Sequence, residues 1–168
     1  MTREWAMPNG NTFSILPIAA FLDRWLEEGA INIDPFAANS TRGTVTNDLN
    51  PASLAQFHLD AREFIAMLEV TADAVLFDPP YSPRQISELY QSIGRSVTTE
   101  DTQNARLYKD VRDLLDARLR PGGVALSFGW NSVGFGKSRG YEIQEILLVA
   151  HGGAHNDTIC VAERKAAQ

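Results

Sequence analysis

The sequence predicts an α/β domain in which helices cover both faces of a mostly parallel sheet. Three observations predict it. Short apolar runs of strand length alternate with segments whose apolar residues have helical spacing. Each of the first four runs leads into an acidic residue, Asp34, Asp48, Asp60 or Asp78. The chain has 168 residues and 44% hydrophobic content, enough for one sizeable core, and no second domain fits.

Taken in order, Met1–Asn11 lacks the apolar segment of a signal peptide, and residues 1–12 are expected to be a flexible N-terminus. A helix is predicted from Pro17 to Glu28, with Ile18, Phe21, Leu22, Trp25 and Leu26 on its core face and Gly29 ending it. Gly29–Ile33, Thr44–Thr46 and Gln56–Leu59 read as strands, and Phe64, Ile65 and Leu68 then mark a helix. Ala74–Phe77 is the fourth strand. The polar stretch Gln85–Gln103 would either close over the base as a lid or form part of a homodimer surface. Thr102–Leu119 reads as a helix with Leu107, Val111, Leu114 and Leu115 buried, stopped by Pro121-Gly122-Gly123. Val124–Phe128 is a fifth strand, and Tyr141–Ala150 pairs with Thr158–Glu163 across the Gly152–Asp157 loop. No apolar run approaches the ~20 residues of a membrane helix. Cys160, in an apolar strand, reads as an inert core thiol of a cytoplasmic, reducing compartment.

Parallel sheets bind ligands beyond the carboxyl ends of their strands, so the four acidic residues are expected on one ligand-binding rim. Asp78 opens the most informative segment, Asp78-Pro79-Pro80-Tyr81. An amine conjugated to a nucleobase is a weak nucleophile, and its lone pair must be freed before it attacks a methyl sulfonium. Asp78 accepting one amine hydrogen, and a backbone carbonyl of the Pro79-Pro80 turn the other, would aim that lone pair. The two prolines fix φ, and Tyr81 offers a flat face to an extruded base. The same tetrapeptide also suits a plain sharp turn after a strand.

Two other clusters are weaker. Gly136-Lys137-Ser138 has the tail of a phosphate loop, but a strand rather than a helix follows it. The segment from Asn131 to Ser138 then reads either as a structural turn or as a rim loop. In the second case Trp130 or Phe135 would touch a flipped base and Asn131 would hydrogen-bond it. His151 and His155 flank Gly152-Gly153, which argues a hairpin loop and no metal site, and His58 beside Asp60 reads as structural.

The order of strands and acidic residues resembles that of class I S-adenosylmethionine-dependent methyltransferases, over roughly residues 13–164. The tetrapeptide resembles that of the branch that methylates amines of nucleic acids, adenine-N6 DNA enzymes in particular. The whole chain is similar to short adenine-methylase-like proteins often carried by bacteriophages. The resemblance implies a Rossmann-like, mostly parallel seven-stranded sheet with an antiparallel C-terminal strand, and S-adenosyl-L-methionine as cofactor. It further implies that Asp34, Pro35, Phe36, Ala37, Asn39 and Ser40 form the loop around the methionine part. Asp48 would bind the ribose hydroxyls and Asp60, with Ala61, the adenine end, and Asp78 would also border the cofactor. Phe13, Ile15 and Pro17 would pack over the methionine end. The family loop usually carries glycine where this chain has Ala38 and Ser40, which would push Asn39 toward an unusual backbone angle.

A net charge of −6 opposes binding to a phosphate polymer through the general field. Arg42, Arg84, Arg95, Lys137 and Arg139 are expected near the rim, where they would offset that charge, with Arg84 and Lys137 as substrate contacts. The expected substrate is nucleic acid, foremost DNA, although the chain leaves no separate target-recognition domain and would gain contacts from a homodimer or an accessory protein. Methylation of RNA or of cytosine N4 suits the same tetrapeptide. A catalytically idle binding module is the alternative outside enzymes.

Overall fold

The computed structural model describes residues 1–80, 104–153 and 155–167. Seven described strands form one sheet: β1 Thr2–Trp5, β2 Asn32–Asp34, β3 Val45–Thr46, β4 Ala72–Phe77, β5 Leu119–Gly129, β6 Tyr141–Ala150 and β7 Thr158–Lys165. Their spatial order is β1-β6-β7-β5-β4-β2-β3. Every pairing is parallel except those of β7, which runs antiparallel between β5 and β6. The helices are α1 Leu16–Trp25, α2 Ala61–Met67 and α3 Asn104–Arg118.

The alternation of side chains along β4 explains its unbroken apolar run. Ala74 and Leu76 enter a core with Ile18, Phe21 and Leu22 of α1. Val75 and Phe77 point the other way, into a core with Phe64 and Ile65 of α2 and Val111 and Leu115 of α3. The helical stripes predicted for α1 and α3 are the ones that pack, with Trp25, Leu26, Leu107 and Leu114 partly buried at their margins. Cys160 is fully buried, and burial pushes its thiol up from the ordinary value. Among the described residues no helix is long and apolar enough to cross a membrane.

Four expectations change. Thr2–Trp5, within the segment expected to be flexible, is an edge strand paired with Leu147–Ala150. Gln56–Leu59 is not a strand: it makes a single bridge, Phe57 to Asn47, because Gln56 spends its side chain and backbone on Thr46 instead of extending a ladder. Helix α1 ends at Trp25, three residues before Glu28, where the Leu26 N–H closes the last turn on the Leu22 carbonyl. Strand β5 starts at Leu119 beside Ala72, and Val124 resumes the pairing at Ala74, so residues 120–123 bulge from the ladder. Gln85–Gln103, the expected lid or dimer surface, lies outside the described residues.

Candidate functional site

Asp34 ends β2, Asp48 follows β3, and Asp78 follows β4; these strands are parallel, so their carboxyl ends share a rim. Asp60 joins them as the N-cap of α2, its carboxylate accepting the Arg62 N–H. A cavity of about 350 Å³ opens there. Of the expected residues, Phe13, Pro35, Phe36, Ala37, Ser40, Asp48, Asp60, Ala61, Asp78, Pro79 and Pro80 line it.

The loop after β2 is held by its own backbone. The Ala37 N–H donates to the Asn47 carbonyl at 2.9 Å, and the Ala38 N–H donates to Asp48 Oδ2 at 3.0 Å. Asp48 Oδ1 accepts the Asn50 N–H at 2.8 Å, which fixes the carboxylate at the cavity wall. Holding this path places Ala38 at φ 46°, the one non-glycine residue with positive φ among the described residues. The strain sits at Ala38 and not at Asn39, whose side chain instead accepts the Leu54 N–H and turns to the neighbouring loop.

Asp34 is completely buried. One of its carboxylate oxygens accepts the Phe36 N–H at 3.1 Å and the other has no partner among the described residues. Burial, reinforced by the charges of Asp78 and Asp48, pushes its carboxyl up to about 8. Asp60 differs: burial alone would raise its carboxyl, but the Arg62 side chain and two backbone N–H groups hold it below the ordinary value. Asp34 and Asn39 do not line the cavity, and Ile15 and Pro17 are buried at the start of α1, with Ile15 in the α1 core.

The Asp78 side of the cavity is braced by α3. Pro79 is buried, and the Tyr108 hydroxyl donates to the Pro80 carbonyl. Tyr108 also meets the Phe77 ring edge-on at 6.0 Å, and the Arg112 guanidinium lies 5.6 Å above that ring. Phe36 closes the other side of Phe77 at 6.0 Å, so one aromatic residue links the loop after β2 to the turn after β4.

The remaining expected residues separate. Trp130 is about half exposed and follows β5 on the same rim, while the Asn131 side chain accepts the Val133 N–H in a local turn. Phe135 is buried against Phe77 and Tyr141, with its N–H and that of Gly136 donating to the buried Glu163 carboxylate, so it cannot touch a base. Glycine is required just before it, since a Cβ on Gly134 would stand 2.1 Å from Glu163 Oε2. Lys137 and Arg139 precede β6, whose first residue pairs with Lys165 at the amino-end rim, so neither reaches the cavity; Arg139 pairs with Asp113. Arg42 pairs with Asp23. Tyr81, Arg84 and Arg95 lie outside the described residues. His151 bonds the Ala6 carbonyl and the Thr158 hydroxyl, His58 bonds the Asp48 carbonyl, and no metal-holding group occurs among the described residues.

Residues not anticipated also line the cavity: Gly10–Thr12, Asn47, Leu49, Leu59 and Leu107. Asn47 had a signal in its place beside Asp48. Tyr108 had only its nearness to Leu107 on the predicted helix.

No family model matches the chain, and no curated protein sequence does. Solved structures do. Precorrin-6y C5,15-methyltransferase from Geobacter metallireducens has a TM-score of 0.61 at 15% identity, over 97% of this chain and 95% of its own. NSun6 from Pyrococcus horikoshii, with SFG, has a TM-score of 0.61 at 17% identity, over 89% of this chain and 51% of its own. The 16S rRNA N2 methyltransferase RsmC from T. thermophilus, in complex with AdoMet and guanosine, has a TM-score of 0.50 at 17% identity, over 94% of this chain and 44% of its own. The chain shares the fold of these methyltransferases. The chain spans about half the length of NSun6 and less than half of RsmC.

Proposed function

We propose that this protein is an S-adenosylmethionine-dependent methyltransferase acting on an exocyclic amine of a nucleobase, foremost adenine N6 in DNA. The observation that carries this is the placing of Asp78, Pro79 and Pro80 on one cavity with Asp48 and Asp60. The residues fit the cofactor on a point of this structure. The carboxylates of Asp48, Asp60 and Asp78 converge on one cavity, and the charges of Asp78 and Asp48 help to raise the buried Asp34 carboxyl behind it; that concentration of negative charge is what a cationic ligand offsets. In this reading Asp48 receives the ribose hydroxyls, Ala61 and Asp60 the adenine end, and Phe13 and Phe36 the methionine end. The bound cofactor supplies the electrophilic methyl group.

The chain's own part is positioning. Asp78 accepts one amine hydrogen and the Pro79 carbonyl the other, which turns the nitrogen lone pair toward the cavity. The proton that the nitrogen sheds passes to water or to Asp78, so no histidine base is needed. Tyr81 stacks the extruded base.

A second reading keeps the mechanism and changes the polymer: RsmC, an rRNA N2 methyltransferase with guanosine bound, shares the fold, so RNA is the first alternative acceptor. The test is to incubate the protein with methyl-labelled S-adenosylmethionine and duplex DNA, single-stranded DNA or RNA, with Asp78→Ala alongside, and to identify the labelled nucleoside. N6-methyladenine from DNA that vanishes with Asp78→Ala is the expected result. Label in RNA alone would move the substrate to RNA. Absence of label from every pool, with cofactor binding demonstrated, would favour a binding module.

A further inference from the structure

We propose that Tyr108 is a positioning residue for the acceptor amine, an inference that rests on the methyltransferase reading above. The turn after β4 has two proline carbonyls that could take the second amine hydrogen. The Tyr108 hydroxyl already donates to one of them, that of Pro80. Among the described residues none donates to the carbonyl of Pro79, which lies beside Asp78 on the cavity wall. Tyr108 thus selects which carbonyl serves the amine, and it ties the turn to α3.

The geometry around Tyr108 makes that tie stiff. Its ring stands at 88° to Phe77, the last residue of β4 before Asp78. One helical turn on, Arg112 lies over the Phe77 ring, and its guanidinium donates to the Gly134 carbonyl at 2.7 Å and to the Tyr108 carbonyl at 3.2 Å. Leu107, beside Tyr108, lines the cavity itself. The helix therefore grips the strand end at Phe77 and the turn at Pro80, leaving Asp78 and Pro79 between two fixed points. Burial keeps the phenol protonated, and hence a donor, up to about 12. Small displacements of a reacting nitrogen cost rate steeply, so a bond that sets the turn acts on kcat more than on binding.

Tyr108→Phe removes the hydroxyl and keeps the ring against Phe77. Measured with the acceptor pool that the wild type labels, the variant is expected to lose about ten- to a hundredfold in kcat. KM for S-adenosylmethionine should stay within about twofold, and the melting midpoint within about 4 °C of wild type. A kcat equal to that of the wild type would overturn the inference alone, as would a loss explained wholly by a higher KM or a collapsed midpoint. Tyr108→Leu, which also removes the ring, should lose at least as much kcat as Tyr108→Phe, and a smaller loss would again count against the inference. A wild-type protein that labels no pool would overturn both the inference and the reading beneath it.

Discussion

The loop after β2 and the turn after β4 line the same cavity, yet they are held by different means. The turn is gripped from outside, by the Tyr108 hydroxyl on Pro80 and by aromatic contacts around Phe77. The loop is held from within, by backbone bonds to Asn47 and Asp48, with a residue at positive φ and a buried carboxylate oxygen left unpartnered. Strain and unmet polarity are thus concentrated on the side proposed to hold the cofactor, and fixed geometry on the side proposed to hold the amine. Such a division suits an enzyme, because ligand binding can relieve the first while the second must be in place beforehand.

Removing Asp78 should separate the two sides most sharply. Asp78→Ala is expected to lower kcat about a thousandfold or more, while cofactor affinity by calorimetric titration changes less than about threefold. Equal losses in both would mean that the cavity acts as one unit and that the comparison fails.

Asp34 gives the next largest effect, read in stability. The folded protein keeps its proton up to about pH 8. In the unfolded chain the same carboxyl ionises near 3.9, so the folded state binds the extra proton between those values. The contribution is therefore fully present below the unfolded value and is lost as pH rises toward 8, by about 1.4 kcal/mol per unit. Urea unfolding should show wild type losing about 3 kcal/mol between pH 5 and 7 relative to Asp34→Asn, in which that proton is absent. Parallel profiles for the two proteins would show that Asp34 titrates normally and that neither burial nor the neighbouring carboxylates hold its proton.

Asp48→Asn tests the link between loop and cofactor. The substitution weakens the carboxylate's bond to the Ala38 N–H and removes a charge from the cavity wall. Affinity for S-adenosylmethionine should fall about tenfold, the value of one charge-assisted hydrogen bond, with kcat at saturation preserved. A fall in kcat with affinity intact would reverse the roles of the two sides.

Most of the sheet and the acidic rim were legible in the sequence because both rest on local pattern: apolar runs of strand length, three of them leading into Asp34, Asp48 and Asp78. What escaped depends on partners distant in the chain. Thr2–Trp5 is exposed at every position, so no burial pattern marks it as a strand, and only its pairing with β6 makes it one. Phe135 sits in a glycine-rich polar segment that reads as a surface loop, but that segment carries it over Phe77 and anchors it on Glu163. Lys137 resembled a rim cation for the same reason, until the direction of β6 assigned it to the opposite rim. The grip of Tyr108 and Arg112 joins residues about thirty positions apart and has no sequence signature of its own.

The smallest expected effect is the most direct probe of strain. Ala38 at φ 46° carries a Cβ in the left-handed region, a cost of about 1–2 kcal/mol that glycine avoids while losing about 0.5–1 kcal/mol of chain entropy on folding. Ala38→Gly should therefore raise the melting midpoint by about 2 °C. It should also tighten S-adenosylmethionine about threefold, since Ala38 lines the cavity and its Cβ keeps the backbone away from a ligand. A higher midpoint with weaker binding would mean that the Ala38 methyl group touches the ligand and that strain is accepted for that contact. An unchanged midpoint would place the rigidity of the loop in the Asp48 bond alone, and the contrast between a strained and an unstrained wall of the cavity would then rest on Asp34.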